Sequence, residues 1–323
     1  MWPTIVNYKS LKVLILCLIV TIPLQATEKQ SFSIVIHGGA GWFSNLSDDE
    51  VQAIKDGLSN AIDVGFTALQ SNQTSLDAVE KAIIVLENND LFNAGKGSVY
   101  TSEEKQEMDA SIMYGLNNQA GAVASVTNVK NPISLARHVM EKTKHVMFAG
   151  KGAERLALEA GIELVDPEYF YSEEKLRRLR DLKKEEKKMG TVGVVAIDVY
   201  GNMAAGTSTG GMTNKLPGRI GDAPIIGAGT WVENKVCGVS GTGHGEFFIR
   251  FNVAKEICDR VKYKNLSISE AANQVVDELQ AIEADGGVIV LDGRGRHAFA
   301  FNTPAMARAF KSSDGKEFVE IYK

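Results

Sequence analysis

Apolar residues recur at helical spacing in two blocks early in the chain. Ser47 and Glu50 form a capping box in front of Val51, Ile54, Leu58, Ile62 and Phe66, and Thr74 with Asp77 opens a second helix carrying Leu76, Val79, Ile83 and Leu86. Ahead of both, the run Phe32 to Ile36 ends in His37-Gly38-Gly39-Ala40-Gly41, the pattern of an interior strand feeding a tight glycine loop. Asp109 to Tyr114 and Ala120 to Val126 predict paired strands; Pro132 opens a helix through Met140, and another runs from about Gly152 to Ala160.

The pattern then breaks. Residues 172–188, SEEKLRRLRDLKKEEKK, are almost wholly charged apart from leucines at 176, 179 and 182, which predicts a solvated helix or flexible linker rather than a binding site. Met189-Gly190-Thr191 follows, and Val192 to Val199 returns at once to strand-forming residues. Gly201-Asn202 turns the chain into a second strand, Met203 to Thr207, and Val236 to Val239 forms a further short one. Ser267 with Glu270 caps a late helix, and Gly286 to Leu291 with His297 to Phe301 reads as a closing hairpin around Asp292-Gly293. No internal repeat is evident, so the chain reads as strands bracketed by helices, with one exposed break near its middle.

Composition bears on function more than on fold. With 323 residues, 44% hydrophobic and 23% charged, the chain can bury a large core. A formal net charge of -5 disfavours nucleic acid or an anionic membrane as the main partner and points to a small-molecule substrate. Lys9 and Lys12 precede the apolar run Val13 to Leu24, and small Ala26 offers a cleavage point. Residues 1–26 are therefore expected to be a signal peptide that exports the chain to a periplasm or the secretory route, with an uncleaved anchor as the alternative. Cys237 and Cys258 remain after its removal; a core this large needs no staple, so both are expected as small buried apolar residues rather than as a pair. The five histidines show no H-E-x-x-H or paired-cysteine spacing, which argues against a catalytic zinc site.

Nucleophilic chemistry centres on Gly190-Thr191. A threonine hydroxyl needs a base beside it, and the α-amine of the same residue, with a free pKa of ~7.7–8.0, supplies one once the preceding peptide bond is cut. A junction between a charged, accessible segment and a buried strand is a place where such a cut can occur, and glycine before the nucleophile tolerates backbone angles that a side chain resists. Thr209, in Thr207-Ser208-Thr209-Gly210-Gly211, ends the strand expected beside the one that starts at Thr191. Thr242 and Gly243, in Ser240-Gly241-Thr242-Gly243, can stabilise an oxyanion through a hydroxyl and an N–H, an ordinary turn being the alternative for any one such pair. Arg219 and Asp222 are opposite charges on a glycine-rich loop; they suit the carboxylate and ammonium of an amino-acid head group, or they salt-bridge each other on the surface.

Five segments together resemble the plant-type asparaginase and isoaspartyl peptidase family of N-terminal-nucleophile hydrolases: GTVG (190–193), TSTGGMTNKLPGRIGDAPIIGAG (207–229), GTGHGE (241–246), HGGAG (37–41) and LFNAGKGSV (91–99). The similarity runs from Phe32 to about Ala309. It implies an α+β fold, a four-layer αββα sandwich forming one domain, cut between Gly190 and Thr191 into an α subunit (27–190, ending in the charged linker 172–189) and a β subunit (191–323). It also implies that Thr191 is the nucleophile, that Thr209 supports its hydroxyl, and that Thr242 and Gly243 form the oxyanion hole. By the same resemblance Arg219 and Asp222 hold the substrate α-carboxylate and α-ammonium, and Asn93 lies near the nucleophile. A structural sodium would be bound, largely by backbone carbonyls, through a loop corresponding to Leu86, Glu87, Asn89, Phe92, Ala94 and Lys96; no catalytic cofactor is implied, and the assembly would be a dimer of αβ units.

The implied reaction is hydrolysis of the β-aspartyl amide of isoaspartyl dipeptides and L-asparagine through an acyl-threonine. A glycosylasparaginase is the nearer alternative and an exported ligand-binding protein the non-enzyme one, although GTGHGE is not a G-x-G-x-x-G pattern and no phosphate-loop sequence occurs. His244, where some members carry threonine, is expected to pack its loop, and the linker composition is peculiar to this chain.

Overall fold

The computed structural model describes residue 1 and residues 31–41, 46–182 and 190–323. The expected signal peptide, beyond its first residue, and residues 183–189 of the linker lie outside the described residues.

One sheet has eight strands, in the spatial order β12 (Glu317–Tyr322), β11 (Ala305–Ser312), β1 (Ser33–Gly41), β5 (Val192–Ile197), β6 (Met203–Thr209), β2 (Met108–Tyr114), β3 (Gln119–Val126) and β4 (Met147–Ala149). The other has four: β10 (His297–Phe301), β9 (Gly286–Asp292), β8 (Cys237–Gly243) and β7 (Thr230–Glu233). Among the described strand pairs, only β3–β4 is parallel.

Successive side chains of a strand point to opposite faces, and in the central strands both faces are apolar. On β1, Ile34 and Ile36 face outward with Val192, Val194 and Ala196 of β5, under helices α1 (Asp48–Gln70), α2 (Ser75–Glu87), α3 (Pro132–Lys142) and α4 (Gly150–Glu159). The alternate residues Val35, Val195 and Ile197 face inward and meet Ile289 and Leu291 of β9. On the far side of the smaller sheet, Val239, Val288 and Val290 pack under α6 (Gly245–Phe251), α7 (Val253–Lys264) and α8 (Ile268–Gln280). The result is the four-layer αββα sandwich that the resemblance implied.

The three capping boxes form as expected, with Ser47, Thr74 and Ser267 each accepting from the N3 backbone N–H. Three other expectations need correction. First, His37 to Gly41 is not a loop: it continues β1 through a bulge between His37 and Gly39. Glycine is needed there for close approach, since a Cβ on Gly38 would stand 2.6 Å from a ring carbon of Phe92. Second, the charged linker is not a solvated helix along its described length. Helix α5 (Glu173–Leu182) buries Leu176 and Leu179 against Tyr100, whose hydroxyl accepts the Ser172 N–H at 2.9 Å. Its Arg180 grips Glu104 through two N–H groups at 3.1 and 3.0 Å. Leucines three apart share one helix face, and a partner in space is enough to dock it.

Third, Cys237 on β8 and Cys258 on α7 form a disulfide, with their Cα atoms 5.6 Å apart. Core size decides whether a staple is needed but not whether two thiols meet; the packing of α7 on β8 brings these two within bridging distance. Protein prepared under oxidising conditions and denatured without reductant should therefore leave Cys237 and Cys258 unalkylated, and both should be modified only after reduction. Two alkyl groups taken up before reduction would contradict the pairing. Cys258→Ala should lower the unfolding free energy by about 3 kcal/mol, the loop-closure entropy of a ~20-residue loop.

Candidate active site

The site begins with strand register. Strands β5 and β6 run antiparallel with Val192 opposite Ser208, which places Thr191, at the buried start of β5, beside Thr209. The Thr191 hydroxyl donates to Thr209 Oγ1 at 3.2 Å, and the Thr209 hydroxyl donates onward to the carbonyl of Gly190 at 3.0 Å. The Gly211 N–H completes the environment of Thr209 Oγ1 at 2.9 Å. One side chain thus receives the proton of Thr191 and polarises the carbonyl immediately before it.

Asn93 approaches the same carbonyl from another direction. Its Nδ2 donates to the Gly190 oxygen at 2.6 Å and to the Gly211 carbonyl at 2.7 Å, while its Oδ1 accepts the Val99 N–H at 3.0 Å. Two donors on one peptide oxygen withdraw electron density from the Gly190 carbonyl carbon. Gly39, with a φ of 113°, passes close by; a Cβ there would lie 3.2 Å from Gly190 Cα.

Behind Thr191, the fully buried His37 places Nδ1 3.1 Å from the Thr191 carbonyl oxygen and Nε2 3.0 Å from Ser240 Oγ. Burial lowers its pKa to about 3, against the smaller opposing effect of the Thr191 carbonyl, so the ring is neutral. A carbonyl can only accept, so Nδ1 carries the proton and Nε2 accepts from Ser240. His37 is thereby a bolt between the sheets rather than a base for Thr191. The sequence contained it within HGGAG but carried no signal for this partner.

From the smaller sheet, the buried Thr242 Oγ1 accepts the Ala40 N–H at 3.2 Å, which leaves its own proton to donate. Through Ala40 and Gly39 it reaches the backbone around Gly190 and Thr191. Arg219 and Asp222 do not pair with each other as the surface alternative had it. Instead the Arg219 guanidinium is forked onto Glu246, with Nε and Nη2 each 2.9 Å from a carboxylate oxygen. Asp222 is buried, and its Oδ2 has no hydrogen-bond partner among the described residues. Burial pushes the Asp222 carboxyl up to about 7, despite the opposing pull of its own N–H and Arg219. The two charges still converge: a Cβ on Gly245 would be 2.9 Å from an Arg219 nitrogen and 2.9 Å from Asp222 Oδ1. Glu246 lies within GTGHGE, and its contact with Arg219 spans 27 residues, beyond the reach of any local sequence signal. His244 packs its loop as expected: its Nδ1 accepts the Asp285 N–H at 3.2 Å, and its own N–H donates to the Asp285 carbonyl at 2.9 Å.

The expected sodium loop follows the end of α2. Leu86, Asn89 and Ala94 each use their carbonyl in a turn, accepting from Asn89, Phe92 and Gly97 at 3.2, 3.3 and 3.0 Å. Around Gly97, a Cβ would lie 1.8 Å from the Phe92 oxygen and 2.8 Å from that of Asp90, so carbonyls gather where no side chain intrudes. The Lys175 ammonium, from α5, donates to the carbonyls of Phe92 and Gly97. A cation on gathered carbonyls is the chemistry that a hard monovalent ion requires, so the loop suits one. The Lys96 side chain points elsewhere, its ammonium lying 5.9 Å from the Tyr169 ring centroid. Burial pushes the Glu87 carboxyl up to about 8, against the opposing hydrogen bonds that it accepts from Ser208, Asn131 and the Ile133 N–H, and these bonds tie α2 to the strand that carries Thr209.

Similarity to known proteins agrees with this arrangement. The asparaginase family model matches residues 30–188 and 180–321. Isoaspartyl peptidase of Escherichia coli (strain K12) is 42% identical over 307 residues, covering 90% of this chain and 96% of its own. Plant-type L-asparaginase of Pyrobaculum calidifontis is 42% identical over 293 residues, covering 86% and 96%. Probable isoaspartyl peptidase/L-asparaginase 2 of Arabidopsis thaliana is 39% identical over 323 residues, covering 90% and 98%. With both halves matched and nearly the whole length of these relatives spanned, the chain belongs to the asparaginase family.

Proposed function

We propose that this chain is an exported precursor that cuts itself before Thr191 and then hydrolyses the β-aspartyl amide of isoaspartyl dipeptides and L-asparagine to release L-aspartate. The observation that carries this reading is the Gly190 carbonyl held by Asn93 and Thr209 while Thr209 also receives the Thr191 hydroxyl. The names of the relatives support the substrate class.

Self-cleavage starts with attack of Thr191 Oγ1 on the Gly190 carbonyl carbon, its proton leaving through Thr209. The tetrahedral oxygen is stabilised by Asn93 Nδ2 and the Thr209 hydroxyl, the C–N bond breaks with protonation of nitrogen, and water hydrolyses the resulting ester. A Gly190 carboxylate and a free Thr191 amine result. In the mature site that amine takes the hydroxyl proton as Oγ1 attacks the substrate side-chain carbonyl, then delivers it to the departing ammonia or peptide amine. The oxyanion is held by the Thr242 hydroxyl and the Gly243 N–H. Water then releases aspartate from the acyl-threonine.

Substrate orientation falls to Arg219 and Asp222. The orphaned Oδ2 of Asp222 supports its role toward an α-ammonium, and the forked geometry that Arg219 already shows toward a carboxylate supports its role toward the α-carboxylate. Sodium, held by main-chain carbonyls of Leu86, Glu87, Asn89, Phe92, Ala94 and Lys96, would brace the loop that carries Asn93 and take no part in the chemistry. Assembly as a dimer of αβ units belongs to the same reading. A glycosylasparaginase shares this chemistry, and comparing turnover of a β-aspartyl dipeptide, L-asparagine and a glycosylated asparagine separates the two; preference for the glycosylated substrate would overturn the proposed specificity.

Thr191→Ala should remain uncut and inactive by intact mass and ammonia release, whereas Thr191→Ser should retain part of both steps. Asn93→Ala, which removes one donor from the Gly190 carbonyl, should slow self-cleavage by about 10²- to 10³-fold. Because the empty-site Asp222 titrates at about 7, it is neutral below that pH and cannot pair with an ammonium. The KM for L-asparagine should therefore rise as pH falls below about 7, while Asp222→Asn should show a high KM that no longer varies with pH. Identical KM profiles in the two proteins would remove Asp222 from ammonium binding.

A further inference from the structure

We propose that in the uncut chain the Lys175 ammonium is a tethered cation for the loop between α2 and β2, holding Asn93 on the Gly190 carbonyl without a need for sodium. The inference rests on the self-cleavage reading above, but it concerns a segment which that reading leaves idle. The two carbonyls that take Lys175, those of Phe92 and Gly97, bracket Asn93 in the chain. Phe92 also belongs to the expected sodium set, so lysine and metal would compete for one oxygen.

Lys175 is not a surface lysine that has met a carbonyl by chance. Three contacts fix α5 along the loop: Leu176 and Leu179 on Tyr100, the Ser172 N–H on the Tyr100 hydroxyl, and Arg180 on Glu104. The Asn93 loop is in turn tied to the site by the Val99 N–H on Asn93 Oδ1 and by the Gly210 N–H on the Asn93 carbonyl, at 3.0 and 3.1 Å. Without a cation, the gathered carbonyl dipoles would repel one another, and the loop would relax or recruit an ion. The linker therefore supplies the charge that orders the machinery for its own severance.

The test uses full-length protein in sodium chloride and in N-methylglucamine chloride of equal ionic strength. In the uncut Thr191→Ala background, the parent should melt at the same temperature in both salts. Adding Lys175→Met should lower the melting temperature by several degrees in the organic salt, and sodium should restore it. With Thr191 present, Lys175→Met should cut at least about tenfold more slowly without sodium and recover with it, while Lys175→Arg, which keeps the charge, should stay independent of sodium. Lys175→Met matching the parent in both salts and both measurements would overturn the tethered cation. A chain that never cuts, yet shows the melting response, would instead contradict self-cleavage and leave the cation role standing.

Discussion

The antiparallel register of β5 and β6 is the constraint from which the site follows. With Val192 opposite Ser208, Thr191 and Thr209 become neighbours, and the carbonyl just before Thr191 falls under the Thr209 hydroxyl. A shift of one residue would turn every side chain of β5 to the other face, exchanging Val192, Val194 and Ala196 with Val195 and Ile197 between two apolar layers, and would separate the two threonines. Core packing on both faces of the strand thus protects a hydrogen-bond geometry at its end.

Polar groups between the sheets add a second restraint. Ser240 Oγ lies 3.0 Å from His37 Nε2 and 2.7 Å from Thr207 Oγ1, so the two sheets are joined by a short polar ladder within an apolar interface. Buried polar groups of this kind are costly unless satisfied, and here each finds a partner only when the sheets sit in one alignment. The same alignment brings Thr242 from β8 onto Ala40 of β1. The Thr242 hydroxyl from one sheet and Thr191 from the other are then held in fixed relation.

Local signals were legible and long-range ones were not. The capping boxes at Ser47, Thr74 and Ser267 are settled within four residues, and the helices behind them follow from spacing alone. The glycine run after His37 read as a loop because glycine disfavours strands; its continuation of β1 comes from Gly39, Ala40 and Gly41 pairing with Ala307, Met306 and Ala305 of the distant β11, while glycine at 38 leaves room for the Phe92 ring. Leucines 176 and 179 were visible as one face of a charged helix, but nothing local named Tyr100 as their cover. The Cys237–Cys258 bridge and the Glu246 fork on Arg219 likewise join residues more than 20 positions apart. Thr191, Thr209 and Asn93 were nameable from the family resemblance, whereas the carbonyl that links them emerges only from the folded chain.

The proposed reaction requires a freed amine and the hydroxyl of the same residue to act as a pair. Following freshly made protein by intact mass, N-terminal sequencing and amide hydrolysis together examines that pairing most directly. The expected result is a second fragment that begins Thr191-Val192-Gly193 and accumulates in step with activity. Full activity in a chain whose Gly190–Thr191 bond remains intact would contradict it.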